Sequence, residues 1–290
     1  MKKVFILGNP RSGTSLFRLM LNAHPQIISP PECGFLHWWY AKYKDWKGSD
    51  NTSVNINEFV KDIKSSKKIE DWNLDFEKLK QNISQQNPQN YAELGEIVYV
   101  MFAEQKGKKP IIIADKNNYY INHLNDLYEI WPAAKYILLV RDGRDVACSY
   151  LNIEKLVTDS PYKPKLSNEI STIAKEWVTN NNNIIDFVNS FDDDRRLIIK
   201  YEDIVTKPKL LLSKVCDFLG VDFNDEMLTY YIKNALQQEE PSSTLDWKMK
   251  TLEKPDENNI GKHKTELSQE DYKKFNAIAT ILLQKLNYEI

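Results

Sequence analysis

Cysteine is scarce. Cys33, Cys148 and Cys216 are the only three in 290 residues. An odd, sparse set excludes a disulfide framework and points to a reducing compartment. None of the three stands at a metal-ligand spacing, and no metal is expected. No apolar stretch approaches the ~18 residues of a membrane span. Met1-Lys2-Lys3 is followed by only a short apolar run before Gly, Pro and Arg interrupt it. No secretory leader is therefore expected, and the protein is read as cytoplasmic. Charge of one sign is missing too, with 39 Lys and Arg against 41 Asp and Glu. That balance gives no reason to expect nucleic acid or an anionic membrane as partner. There is no internal repeat. What remains is a chain with 42% hydrophobic residues, enough for one large or two small domains. Its Lys, Asn and Ile usage suggests an AT-rich bacterial genome.

One further absence is the most informative. After the apolar run at 3–7 come Gly8-Asn9-Pro10-Arg11-Ser12-Gly13-Thr14-Ser15 and then apolar residues at helical spacing. The pattern is a buried strand, a tight loop and an amphipathic helix. It matches the phosphate-binding loop Gly-x-x-x-x-Gly-Lys-[Ser/Thr], except that Thr14 replaces the lysine. The loop still suits an anion, because two glycines permit a tight turn and backbone N–H groups converge at a helix N-terminus. The lost lysine argues against an ordinary ATPase or GTPase, which uses it on the β/γ-phosphates. Arg11 is a substitute cation within the loop. The competing explanation is a strand-turn-helix with no ligand.

Further along, strands alternate with helices. Apolar runs at 111–114, 136–140 and 196–201 read as buried strands, and 91–103, 119–130, 170–191, 210–219, 224–236 and 269–286 as helices. Continuous apolar strands alternating with helices predict a P-loop-containing α/β fold, its central, mainly parallel sheet flanked by helices on both faces. Polar groups then fall at strand C-terminal ends, where such sheets bind ligands. One domain over 1–290 is expected. Residues 47–90 read as a partly helical, mobile insertion, and 207–290 as a C-terminal helical segment. The aromatics of 35–46 suit either a core helix or an acceptor pocket. The Pro-interrupted loop at 237–262 is long enough to be functional.

These residues resemble a known family. Pro10-Arg11-Ser12-Gly13-Thr14-Ser15-Leu16 is similar to the 5′-phosphosulfate loop of sulfotransferases that use 3′-phosphoadenosine 5′-phosphosulfate (PAPS). The stretch 136–145, with Arg141 and then Ser149 eight residues on, resembles their 3′-phosphate-binding strand-loop-helix. Tyr201-Glu202-Asp203 resembles a later strand-end signature, and Gly261-Lys262-His263-Lys264 a basic loop before the last helix. The tyrosylprotein sulfotransferase branch is nearest in pattern, by Glu32, by Lys116 after a strand and by Leu286-Asn287-Tyr288. The membrane anchor and paired cysteines of that branch have no counterpart here, so its acceptor does not carry over.

The resemblance implies in-line transfer of a sulfuryl group from PAPS to an acceptor hydroxyl, leaving adenosine 3′,5′-bisphosphate. Backbone N–H groups of Ser12, Gly13, Thr14 and Ser15 would hold the 5′-phosphate. Arg11 and Lys116 would face the sulfonate, and Glu32 would be the general base, with His24 and His37 as runners-up. Arg141 and Ser149 would hold the 3′-phosphate, with Tyr201, Gly261, Lys262 and Lys264 completing the donor site. Trp177 is assigned to the core, and Arg144 with Asp145 to a surface or interstrand ion pair. The acceptor is unspecified: glycan, lipid, small molecule or peptide tyrosine. A homodimer is allowed. Two other functions compete. A P-loop kinase would need a lysine at Thr14 and a Mg²⁺-binding carboxylate such as Asp115. A non-catalytic nucleotide-binding protein would be indifferent to loss of Glu32.

Overall fold

Apolar residues at successive positions of a strand face opposite sides, so a continuous apolar run must be covered twice. In β1 (Lys2–Leu7), Phe5 and Leu7 enter one buried cluster while Val4 and Ile6 enter another. In β4 (Lys135–Val140), Tyr136, Leu138 and Val140 share the first cluster, and Ile137 and Leu139 the second. The computed structural model, which describes residues 1–290, joins these with β2 (Ile27–Ile28), β3 (Ile112–Lys116) and β5 (Arg196–Lys200). The sheet has order β2-β3-β1-β4-β5, and every pairing is parallel. The chain starts at the centre, goes to one edge as β2, returns as β3 between β2 and β1, and then crosses to β4 on the other side of β1. The loops after β1 and β4 therefore diverge at a topological switch point, the place where parallel sheets bind ligands.

Residues 47–90 are not a detached lid. Thr52 caps a helix over Ser53–Lys64, and Asp75 caps one over Phe76–Gln86. Ile56, Phe59, Val60, Ile63, Leu79 and Ile83 belong to the larger core cluster, which also holds Trp72, Trp177, Phe35, Tyr43 and Trp46, with Trp38, Trp39 and Tyr40 packed part-buried against it. Those aromatics are thus mainly core. The second of these helices starts at Phe76 because Asp75 supplies the cap. The helix expected over 119–130 is broken: a 3₁₀ turn, Asn118–Asn122, ends at His123 before Leu124–Ile130. Similarly, 224–236 divides into Asp225–Thr229 and Tyr230–Gln237. Tyr201 is not the end of a strand but the first residue of the helix Tyr201–Thr206.

The expected loop at 237–262 carries three short turns, Ser242–Leu245, Met249–Leu252 and Glu257–Asn259. It crosses the C-terminal end of the sheet as a strap. Its anchor is buried Glu240, which accepts from Arg18 Nη2 at 2.8 Å and from Lys248 Nζ at 2.5 Å. Burial would raise the Glu240 pKa, but the two cations outweigh it and hold the group at about 2. No helix is long and apolar enough to cross a membrane.

Candidate active site

The loop after β1 is shaped by what surrounds it. A Cβ on Gly8 would lie 2.6 Å from the Leu139 carbonyl oxygen. Gly13 has φ +93, and a Cβ there would strike the Tyr201 ring. Arg11 itself adopts φ +69, a left-handed conformation that costs a non-glycine residue about 1–2 kcal/mol. Asn9 fastens the loop from behind, donating to the Pro10 carbonyl and to Tyr150 Oη and accepting from Asn180 Nδ2. The helix Thr14–Ala23 begins immediately after Gly13 with no side-chain cap. Its first-turn N–H groups have no intrahelical acceptor, so they form an anion-binding nest.

Two arginines, part-buried Arg11 and buried Arg141, converge on this nest. Arg11 Nε donates to Ser149 Oγ at 3.0 Å, and Nη2 to the Trp247 carbonyl at 3.0 Å. Arg141 donates from Nη1 to the Arg11 carbonyl at 3.1 Å and from Nη2 to the Asn259 carbonyl at 2.7 Å. Its guanidinium lies 4.4 Å from the Tyr201 ring centroid, and its Nε is buried without a partner. Both guanidiniums thus meet only neutral oxygens. Arg18 and Arg144, by contrast, are paired with Glu240 and Asp142. Burial, followed by repulsion from Arg141, pushes Arg11 down to about 10. An anion placed between the two would relieve both costs.

Across the cleft, Glu32 pairs with Lys116, and with Lys68 at 3.1 Å. Burial would raise the Glu32 pKa, but Lys116, Lys248 and Lys68 hold it well below the usual carboxylate range. Burial pushes Lys116 down to about 8, against the pull of Glu32. The cleft encloses about 420 Å³ and is lined by eight cations, namely Arg11, Lys68, Lys116, Arg141, Lys248, Lys250, Lys254 and Lys262. Glu32, Asp246, Glu253 and Asp256 are the four acids facing them, so a near-neutral chain has concentrated positive charge in one place.

Of the residues singled out in the sequence, Arg11, Gly13, Thr14, Ser15, Glu32, Lys116, Arg141, Ser149, Tyr201 and Lys262 all line this cleft. Ser12 does not; it is fully buried with its Oγ unpaired. Gly261 turns the chain at φ +73 and donates its N–H to Asp145 Oδ2 at 2.7 Å. Past that turn Lys264 is exposed and faces a neighbouring groove with Arg144 and Tyr288, so it does not reach the cleft. Arg144 and Asp145 are not an ion pair with each other, nor are they on the surface. Buried Arg144 pairs with Asp142, and buried Asp145 with His263 Nδ1 at 2.8 Å. Asp145 thereby ties the basic loop to the helix after β4.

His24 is buried, 2.9 Å from the Asp222 carbonyl, and neither it nor His37 lines the cleft. Asp115 is buried at the end of β3, where it accepts from Tyr99 and Tyr120. Burial raises it to about 6, and it does not face the nest. Sequence reasoning missed Lys68, Asn118, Trp247, Lys248 and Lys250, which line the same cleft. Only the unusual length of 237–262 signalled the last three.

An all-parallel α/β sheet, an anion nest after its central strand and two arginines without acidic partners at the switch point define a protein of the P-loop class. The chain belongs to the sulfotransferase family, whose model matches residues 3–225. Among characterised relatives, protein-tyrosine sulfotransferase A of Caenorhabditis elegans is 24% identical over 225 residues, covering 78% of this chain and 51% of that protein. Protein-tyrosine sulfotransferase 1 of Danio rerio is 28% identical over 231 residues, covering 79% and 56%. The chain thus spans about half the length of these relatives. Among solved structures, the sulfotransferase domain of the Synechococcus PCC 7002 olefin synthase superposes with TM-score 0.66 at 25% identity, covering 100% of this chain and 96% of that one. The sulfotransferase domain from the curacin biosynthetic pathway gives 0.60 at 25% identity, covering 100% and 98%.

Proposed function

We propose that this protein is a PAPS-dependent sulfotransferase that sulfates a hydroxyl acceptor, with 1–290 acting as one sulfotransferase domain. The observation that carries the proposal is the pair of guanidiniums, part-buried Arg11 and buried Arg141, with only neutral oxygens as partners beside an open helix N-terminus. A donor with phosphate groups at both ends supplies the missing negative charge. In this reading the first-turn N–H groups after Gly13 take the 5′-phosphate, while Arg141 and Ser149, with Lys262 nearby, take the 3′-phosphate. Arg11 and Lys116 face the sulfonate.

The acceptor oxygen forms a bond to sulfur as the bond from sulfur to the bridging phosphate oxygen breaks. Adenosine 3′,5′-bisphosphate leaves, and the acceptor proton passes to Glu32. In the resting cleft Glu32 is a weak base because Lys116 and Lys68 neutralise it. A sulfonate that draws Lys116 away raises Glu32 toward the range a general base needs. Asp115, the carboxylate a kinase would need, is occupied by two tyrosines in the core, which favours transfer over the kinase alternative. The chemistry asks for no metal in the cleft. Three buried, unpaired thiols support a reducing, cytoplasmic setting, and the Lys-, Asn- and Ile-rich composition a bacterial source.

The test is transfer of labelled sulfonate from PAPS to a panel of sugar, alcohol, phenol and tyrosyl-peptide acceptors. Glu32→Gln should lower turnover by ~10²–10⁴-fold with donor affinity little changed. Full turnover in that variant would remove Glu32 from the role of base.

A further inference from the structure

Two of the chain's four histidines stand together outside the cleft. The rings of His37 and His123 have centroids 3.7 Å apart. His37 lies on the short helix Phe35–Trp38, while His123 immediately precedes the helix Leu124–Ile130, which carries Asp126. The i, i+3 spacing of His123 and Asp126 turns both toward the same partner. Asp126 Oδ2 is 2.6 Å from His37 Nε2 and 3.6 Å from His123 Nδ1. One ligand atom from each residue falls within 4.8 Å of the other two. The Tyr119 ring closes one side, 4.5 Å from His123 and 5.3 Å from His37.

We propose that His37, His123 and Asp126 bind a first-row divalent cation of the Zn²⁺ type. Two imidazoles and one carboxylate suit a borderline transition ion, whereas Mg²⁺ and Ca²⁺ call for oxygen ligands throughout. Bonds of roughly 2.0–2.2 Å to a tetrahedral ion set neighbouring ligand atoms about 3.4 Å apart. The two separations from Asp126 bracket that value and the His37 and His123 atoms lie within 4.8 Å, so side-chain shifts of roughly an ångström bring all three onto one ion. Asp126 and His123 are part-exposed, which leaves an entry path and an open position for water. Binding replaces the hydrogen bond between His37 and Asp126. With the ion on His37 Nε2 the ring proton sits on Nδ1, which is buried without an acceptor, so affinity is moderate rather than extreme. The ion would staple the segment after Glu32 to the segment after Lys116 and Asn118, steadying the two loops that meet in the cleft. It takes no part in the transfer step, so the site stands or falls separately from the proposed activity.

The experiment is calorimetric titration of chelator-treated full chain with ZnCl₂, alongside thermal melts with and without the metal. The wild type should bind one Zn²⁺ and melt at a higher temperature with the metal. His123→Gln and Asp126→Asn, both at part-exposed positions, should keep the metal-free melt. Each should lose at least ~10–100-fold in affinity, the range that loss of even an outer-shell partner produces. Absence of one-to-one binding in the wild type, or equal affinity in both variants, would overturn the site.

Discussion

Replacing Arg141 by alanine tests the donor site most selectively. The guanidinium is almost fully buried, holds the Arg11 and Asn259 carbonyls and lies over Tyr201. Its role as the 3′-phosphate partner predicts loss of charge-assisted hydrogen bonds worth about 1.5–3 kcal/mol, or roughly 10- to 150-fold in affinity. That loss should fall on nucleotides with a 3′-phosphate and spare AMP, which shares the 5′-phosphate and adenine. Stability should also decline, by about 1–3 kcal/mol, because two buried carbonyls lose a donor. Arg141→Lys restores the charge without the fork and should recover part of the affinity only. The assay is calorimetric titration of wild type and both variants with adenosine 3′,5′-bisphosphate and with AMP, with melts recorded in parallel. Equal losses for both nucleotides would refute the 3′-phosphate assignment and leave Arg141 as a brace for the loop.

Three further outcomes are expected. Arg11→Ala should abolish transfer of labelled sulfonate while the far-UV circular dichroism spectrum is retained; normal turnover would sink the assignment. Because burial pushes Lys116 down to about 8, kcat/KM should fall as pH rises through that value and Lys116 loses its charge. Lys116→Arg should move this limb to higher pH, and a flat profile from pH 7 to 10 would exclude Lys116 from the step. Glu240→Ala should cost about 3–5 kcal/mol in denaturant unfolding, since it strands Arg18 and Lys248 in the interior. The folded Glu240 pKa lies below the ordinary carboxylate value, so its stabilisation is fully present above that value and fades as pH falls toward about 2. The variant's stability should therefore decline less between pH 5 and pH 2 than the wild type's.

Four of the five strands were legible because each is a local apolar run, whereas β2 is only two residues long and gave no such run; the nest was legible because its two glycines and Arg11 lie within six residues of sequence. Arg141 and Ser149 were legible for the same reason, since one strand end and one helical face present them. Contacts made at long range were not. Glu240, Trp247 and Lys248 gain meaning only when the strap folds over Arg18 and Arg11. Lys264 was misplaced because the turn at Gly261 sends it to the far side of the loop. The pairing of Arg144 with Asp142, rather than Asp145, depends on the His263 ring arriving from the last part of the chain. The His37 and His123 pair was invisible for a simpler reason: its members share no local spacing, and only the packing of two short helices brings them together.

The most direct measurement for the central claim is calorimetric titration of the wild type with adenosine 3′,5′-bisphosphate beside ADP, each with and without Mg²⁺. Tight, Mg²⁺-independent binding of the bisphosphate, with ADP much weaker, is the predicted result. Preference for ADP that requires Mg²⁺ would contradict it and turn the site into that of a kinase.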